Sequence, residues 1–116
     1  SRQYLSATMQ AAGFRTIQAI DGGSALKVVM EHDVAVAIID HFMAPFGGLD
    51  FARKVQDAGK KLPMIMVTNE ETTDLLIETS RHGIGRYLRK PVEPNRLVEA
   101  VKRSLREVDI KPTLRK

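Results

Sequence analysis

The sequence contains no cysteine and no tryptophan, and aromatic residues make up only 5% of its 116 residues. The lack of cysteine excludes disulfide bonds and thiolate chemistry, and it fits a reducing compartment. No apolar run approaches the roughly 20 residues that a membrane-spanning helix needs, and the N-terminus carries no signal-peptide pattern. We therefore expect a cytoplasmic domain that has no membrane contact.

Acidic residues are absent from the first 20 positions, so the first carboxylate of the chain belongs to Asp21. The net charge of +4 is uneven, because residues 1–80 carry −3 and residues 81–116 carry +7. A basic third can indicate nucleic-acid binding, but these charges spread over a helix face and a tail without interleaved aromatic residues. We expect a solvated or partner-facing surface, with nucleic acid bound only through an output domain if one follows.

Hydrophobic periodicity predicts helices that alternate with strands along the whole chain. Helices are predicted over residues 2–12, 24–32, 48–58, 72–82 and 94–108, and strands over 15–20, 34–40, 64–68 and 86–88. This alternation implies right-handed crossovers and an α/β fold, in which a parallel sheet carries helices on both faces. A break at Pro112 would leave residues 1–108 as one domain and residues 109–116 as a polar tail or linker.

The strongest single signal is the apolar run of residues 34–39, which ends at Asp40. Six consecutive apolar residues rich in valine and isoleucine are typical of a strand that is buried on both faces. The carboxyl ends of such strands border the crevice in which open α/β sheets bind their ligands. We therefore expect the carboxylate of Asp40 to lie at a ligand site.

Two later strands also end in polar residues, Thr68 and Lys90, which follow Asp40 by 28 and a further 22 residues. Because the strands are parallel, we expect a carboxylate, a hydroxyl and an ammonium to meet at one sheet edge. Asp40 could attack a phosphoryl group, while Lys90 and Thr68 bind the oxygens of the resulting aspartyl phosphate. Alternatively, Lys90 merely neutralises a half-buried Asp40, and the spacing alone favours neither interpretation.

Several short motifs resemble a response-regulator receiver domain of two-component signalling, of the chemotaxis-regulator type, from residue 2 to about residue 108. They include Ala19-Ile20-Asp21-Gly22, Ile38-Ile39-Asp40, Gly48-Leu49, Pro63-Met64-Ile65-Met66-Val67-Thr68 and Tyr87-Leu88-Arg89-Lys90-Pro91. The resemblance implies a flavodoxin-like three-layer sandwich in which Asp40 is the phosphoacceptor, with Thr68 and Lys90 as its catalytic partners. It further implies a switch formed by Thr68 and Tyr87, and a cis peptide bond between Lys90 and Pro91.

The largest departure from the receiver pattern concerns the metal site. Receivers begin with a strand that ends in two adjacent acids, and these acids bind Mg²⁺. Because this chain has no acid before Asp21, we expect that an upstream strand of roughly a dozen residues, with the acid pair, is absent from it. The carboxylate of Asp40 and the backbone carbonyl of Phe42 would supply two oxygens. A hard cation prefers about six, so we expect weak Mg²⁺ binding or none.

The resemblance also implies partners for this chain. The phosphoryl donor would be a sensor histidine kinase or a phosphotransfer protein. A homodimer could form through the face made by the fourth helix, the last strand and the last helix. Candidate contacts on this basic surface are Arg86, Arg89, Arg96 and Lys102.

We expect no enzymatic activity beyond autophosphorylation and autodephosphorylation. The main alternative is a pseudo-receiver, a protein-interaction module without phosphotransfer, which the missing acid pair and the polar Asn69 after Thr68 favour. A free-standing hydrolase is a third hypothesis. It lacks the second carboxylate that general acid–base catalysis would need two residues after Asp40, where Phe42 stands instead.

Overall fold

The computed structural model describes residues 2–40, 48–69 and 73–114, with side chains through residue 107. Its elements are α1 (Arg2–Ala11), α2 (Gly22–Glu31), β1 (Ala37–Asp40), α3 (Gly48–Asp57), β2 (Met64–Thr68), α4 (Thr73–Arg81), β3 (Arg86–Arg89) and α5 (Pro94–Leu114). The three strands form a parallel sheet in the order β1-β2-β3. Within these ranges, none of the helices has the length and apolar character that crossing a membrane requires.

The central strand β2 divides the core into two layers, and all five of its side chains are buried. Met64 and Met66 pack in a cluster with side chains of α2 and α3, whereas Ile65 and Val67 pack with side chains of α1 and α5. Successive side chains of a strand point to opposite faces of the sheet, so helices cover both faces. The predicted three-layer α/β architecture of flavodoxin-like type is confirmed.

Local sequence signals explain where two of the helices begin. The carboxylate of Asp21 accepts the backbone N–H of Ser24 at 2.7 Å and caps α2. This hydrogen bond lowers the pKa of Asp21. Pro94 occupies the first position of α5, where its missing N–H costs nothing. The first acid of the chain therefore has a local capping role.

The strand predicted over Arg15–Ile20 is wrong, because residues 14–19 form no regular structure. β-branched side chains favour a strand only where a neighbouring strand supplies ladder hydrogen bonds, and no described strand pairs with this segment. The segment is tied to α1 instead: the hydroxyls of Ser6 and Thr16 lie 2.7 Å apart. Ile17 and Ile20 remain exposed.

Two other predicted boundaries are also wrong. The strand predicted over residues 34–40 is paired only from Ala37 onward, because the ladder begins where the carbonyl of Pro63 accepts the Ala37 N–H at 2.9 Å. The last helix, predicted to break at Pro112, continues to Leu114. Proline removes one intrahelical hydrogen bond, but its fixed φ is compatible with the helix. The remaining predicted elements agree with the structure within two residues.

Candidate functional site

The carboxyl ends of the three strands lie side by side. Asp40 of β1 is opposite Val67 in the register, and Thr68 of β2 is opposite Arg89 of β3. The backbone N–H of Lys90 donates to the carbonyl of Thr68 at 2.7 Å, which adds one hydrogen bond beyond the end of β3. The prediction that these strand ends share one edge of the sheet is confirmed.

The side chain of Lys90 contacts both carboxylate oxygens of Asp40. Its Nζ lies 3.0 Å from Oδ1 and 3.0 Å from Oδ2. The side chains are only 25% and 14% exposed, respectively, so water screens this pair less than it screens a surface ion pair. A charge-assisted contact of this kind fixes the orientation of the carboxylate. The structure thus brings together two predicted site residues that are 50 positions apart in the chain.

Thr68 and Tyr87 are placed differently with respect to this pair. Thr68 ends the central strand, and its side chain is fully buried. Tyr87 is half-buried in β3, opposite Met66, and packs against the cluster formed by α2 and α3. The Lys90–Pro91 peptide bond, which the resemblance implies to be cis, is cis. The switch role of Thr68 and Tyr87 stays a prediction.

The described residues do not by themselves fit a Mg²⁺ site. Phe42, the predicted carbonyl ligand, belongs to residues 41–47, which lie outside the described part of the chain. Within the described ranges, no group of three or more His, Cys, Asp or Glu side chains could hold a metal ion. Mg²⁺ requires six oxygen ligands in near-octahedral geometry, and Asp40 alone supplies too few of them.

A groove of about 760 Å³ between β3 and α5 is a feature that the sequence did not predict. The side chain of Arg86 connects its two walls: Nε donates to the hydroxyl of Ser104 at 3.1 Å, and Nη2 lies 2.8 Å from Glu107. Ser104 donates in turn to the carbonyl of Ala100 at 3.0 Å. The one signal in the sequence is that Ser104 interrupts the apolar stripe of α5. The lining residues are Gly85, Arg86, Tyr87, Leu88, Asn95, Arg96, Glu99, Ala100 and Arg103.

The groove carries an excess of positive charge. Glu99 is the one acidic residue among the described residues that line it, and it accepts hydrogen bonds from Arg103 at 3.2 Å and from Arg106 at 3.4 Å. The hydrogen bond from Arg103 lowers the pKa of Glu99. Arg96 lines the same groove and forms no ion pair with any side chain in the described ranges. A guanidinium is therefore available to an incoming anionic group.

Comparisons with known sequences identify the kind of domain that this arrangement belongs to. The profile of the response regulator receiver domain family matches residues 1–102. The chemotaxis protein CheY of Pseudomonas aeruginosa is 29% identical over 111 residues, which cover 93% of this chain and 90% of that protein. The DNA-binding response regulator MtrA of Mycobacterium tuberculosis is 28% identical over 95% of this chain. The chain spans about half of MtrA, 48% of its length.

Solved structures give the same result for the fold. The chemotaxis protein CheY4 of Vibrio cholerae is 31% identical and superposes with a TM-score of 0.85 over 90% of this chain and 88% of that chain. A CheY-like receiver domain protein of Methanospirillum hungatei is 21% identical, with a TM-score of 0.87 over 94% of this chain and 87% of that one. This second likeness concerns the fold alone.

Proposed function

The chain belongs to the response regulator receiver domain family of two-component systems, and from this premise we propose that Asp40 accepts a phosphoryl group from a histidine kinase or a phosphotransfer protein. The observation that carries the proposal is the contact of Lys90 with both carboxylate oxygens of Asp40 at the carboxyl edge of the sheet. This position leaves an ammonium beside the oxygen that would accept the phosphoryl group.

In the proposed step, one carboxylate oxygen of Asp40 attacks the phosphorus of a phosphohistidine. The new O–P bond forms as the N–P bond breaks, and the leaving imidazole nitrogen keeps the electron pair of the broken bond. Lys90 offsets negative charge on the phosphoryl oxygens, which fixed donors in a partly buried site do more effectively than water. Thr68, on the adjacent strand, would donate its hydroxyl to another phosphoryl oxygen.

Phosphorylation would then change the surface around the groove between β3 and α5. A phosphoryl group adds charge at the end of β1, and Thr68 would move toward it. Tyr87 supports this connection, because it packs against the core cluster and also lines the groove. The result would be a shift between two populated states with different affinities for a partner. The excess of arginine in the groove favours a partner, or a second copy of the chain, that presents acidic groups.

Reversing one charge of the groove tests this part of the proposal. Arg96→Glu is expected to weaken homodimerisation or binding of the kinase about fivefold, the effect of an exposed charge at an interface. Arg53→Glu, an exposed position on α3 at the other face of the sheet, is the matched control and should have no effect. Sedimentation velocity and a titration of the kinase measure the two affinities. Equal behaviour of the two variants in both measurements would contradict a docking role for the groove.

We also propose that the receiver domain consists of residues 1–108 and an upstream strand, and that residues 109–116, of which the first six continue α5, serve as a tail or linker. Two observations support the upstream strand: β1 lies at one edge of the described sheet, and residues 14–19 pair with no strand in the described part of the chain. A strand that paired with β1 would also bring the acid pair and complete a Mg²⁺ site. An upstream coding sequence without paired acids would contradict this proposal. A cytoplasmic location is part of the proposal and agrees with the lack of cysteine.

The phosphoacceptor proposal is tested on the protein at its full natural length. Incubation with acetyl phosphate and Mg²⁺ is expected to add one phosphoryl group per chain, stable in acid and labile in base, as measured by intact mass. A chain that takes up no phosphoryl group would favour the pseudo-receiver, a protein-interaction module. Release of many equivalents of phosphate per chain would favour a hydrolase.

A further inference from the structure

The phenol of Tyr4 joins helix α1 to the loop that follows β3. Tyr4 lies in the first turn of α1, and its hydroxyl donates to the backbone carbonyl of Val92 at 2.8 Å. The two residues are 88 positions apart in the chain. Val92 lies between β3, which ends at Arg89, and α5, which begins at Pro94. Its carbonyl is therefore outside both the sheet ladder and the helix, and a side chain from α1 binds it.

The backbone around Lys90 is held on both sides of its side chain. On one side, the Lys90 N–H donates to the carbonyl of Thr68 at 2.7 Å. On the other side, Val92 is fixed twice, because its side chain is buried in the core cluster that includes α1 and its carbonyl accepts the hydroxyl of Tyr4. The Lys90 ammonium that contacts both oxygens of Asp40 extends from this fixed backbone.

We propose that Tyr4 is a positioning residue for phosphoryl transfer: its hydroxyl holds the loop after β3 so that the ammonium of Lys90 meets the phosphoryl oxygens on Asp40. This role rests on the proposed function, because it concerns the rate at which Asp40 is phosphorylated. The ammonium of a lysine is carried on a flexible stem, whose rotamer freedom is lost when the charge is fixed. A backbone that is already held leaves less to order, and a group positioned in advance accelerates a reaction more than one that must first be brought into place.

A second hydroxyl of α1 provides a comparison for Tyr4. The hydroxyl of Ser6 lies 2.7 Å from that of Thr16, so this contact ties α1 to residues 14–19 and not to the loop of Lys90. Both contacts are partly buried, and both join α1 to a segment without regular structure. Loss of either hydroxyl should weaken the attachment of α1, whereas loss of the Tyr4 hydroxyl should also affect the phosphorylation site.

Removal of the single hydroxyl tests the proposal on the protein at its full natural length. Tyr4→Phe keeps the ring and should slow labelling by acetyl phosphate and Mg²⁺ about fivefold, the effect of one lost hydrogen bond. Ser6→Ala is the matched control and should be labelled at the wild-type rate. An unchanged rate in Tyr4→Phe, or an equal loss in Ser6→Ala, would overturn the proposal.

The Lys90→Met background distinguishes positioning from a general loss of stability. There the ammonium is gone, so Tyr4→Phe should have no further effect on the labelling rate, and the two substitutions should be strongly non-additive. A purely structural role of Tyr4 predicts the same fivefold slowing in both backgrounds. That result would contradict the positioning role.

Amide hydrogen exchange separates this inference from the proposed function, because it needs no phosphorylation. Tyr4→Phe should speed exchange of the Lys90 amide about fivefold, as resolved by NMR, and Ser6→Ala should not. If the amide responds in this way but no protein takes up a phosphoryl group, the proposed function fails while the effect of Tyr4 on the loop stands. If the wild-type protein is labelled and exchange at Lys90 is unchanged in Tyr4→Phe, the phosphoacceptor stands and the positioning role of Tyr4 is wrong.

Discussion

Asp40→Asn is expected to take up no phosphoryl group under conditions that label the wild-type protein completely. The amide has nearly the same shape as the carboxylate, but its oxygen is neutral and a poor nucleophile toward phosphorus. Intact mass after incubation with acetyl phosphate and Mg²⁺ measures the loss. Asp50→Asn is the matched control, because Asp50 is a partly exposed carboxylate on α3 that also pairs with a lysine, Lys54, at 3.4 Å. This control should be labelled fully.

Lys90 gives the second half of the same test. Lys90→Met should slow labelling about a hundredfold, the loss expected when one fixed donor to a developing negative charge is removed. Lys90→Arg should be labelled faster than Lys90→Met but more slowly than the wild type, because the planar guanidinium cannot occupy the position of Nζ between the two oxygens of Asp40. Quenched-flow sampling followed by intact-mass measurement gives the labelling rates. Persistent labelling of Asp40→Asn, or a Lys90→Met variant as fast as the wild type, would refute the proposed chemistry.

Stability measurements isolate the contribution that the Asp40–Lys90 ion pair makes to folding. Lys90→Met leaves the carboxylate of Asp40, 14% exposed, without its ammonium, and should cost about 1–3 kcal/mol in the free energy of unfolding. In the Asp40→Asn background the same change should cost much less, because no charge is left uncompensated. This cycle measures the pair itself, whereas the labelling rates measure what the pair does to a phosphoryl group.

The parts of the fold that the sequence predicts well are those in which local pattern and burial agree. The strand Met64–Thr68 is observed with its predicted bounds, because Pro63 ends the preceding loop and every side chain of the run is buried. The convergence of Asp40 and Lys90 could be predicted for a related reason. Parallel strands place their carboxyl ends at one edge, whatever their separation along the chain.

The parts that could not be predicted depend on partners that a local pattern does not contain. Residues 15–20 have the β-branched composition of a strand, but strand formation needs a neighbour, and no described strand supplies one. The groove between β3 and α5 depends on the contact of Arg86 with Ser104 and Glu107, roughly twenty residues away. The resemblance to receivers includes Gly48, yet it does not explain why a glycine is needed there.

The structure supplies that reason and a prediction of large effect. A Cβ added at Gly48, the first residue of α3, would overlap the Cγ2 of Ile39 and lie 3.4 Å from the terminal methyl of Met66. Ile39 and Met66 are 2% and 0% exposed, so the surrounding core cannot yield. Gly48→Ala should therefore cost about 3 kcal/mol in the free energy of unfolding measured with urea, at the upper end for an overpacked core. Gly85→Ala, where an added Cβ would meet nothing within 4 Å, should change it little.

A second substitution tests whether this overlap is the cause. Ile39→Ala removes the Cγ2 that the new methyl group would meet. The double variant Gly48→Ala with Ile39→Ala should therefore lose less free energy of unfolding than the two single variants lose together. A coupling of at least about 1 kcal/mol is expected for residues in direct contact. Because Ile39 immediately precedes Asp40, Gly48→Ala should also displace the carboxylate from Lys90 and slow labelling by acetyl phosphate, whereas Gly85→Ala should not. Additive losses would show that the cost at Gly48 arises elsewhere than in its contact with β1.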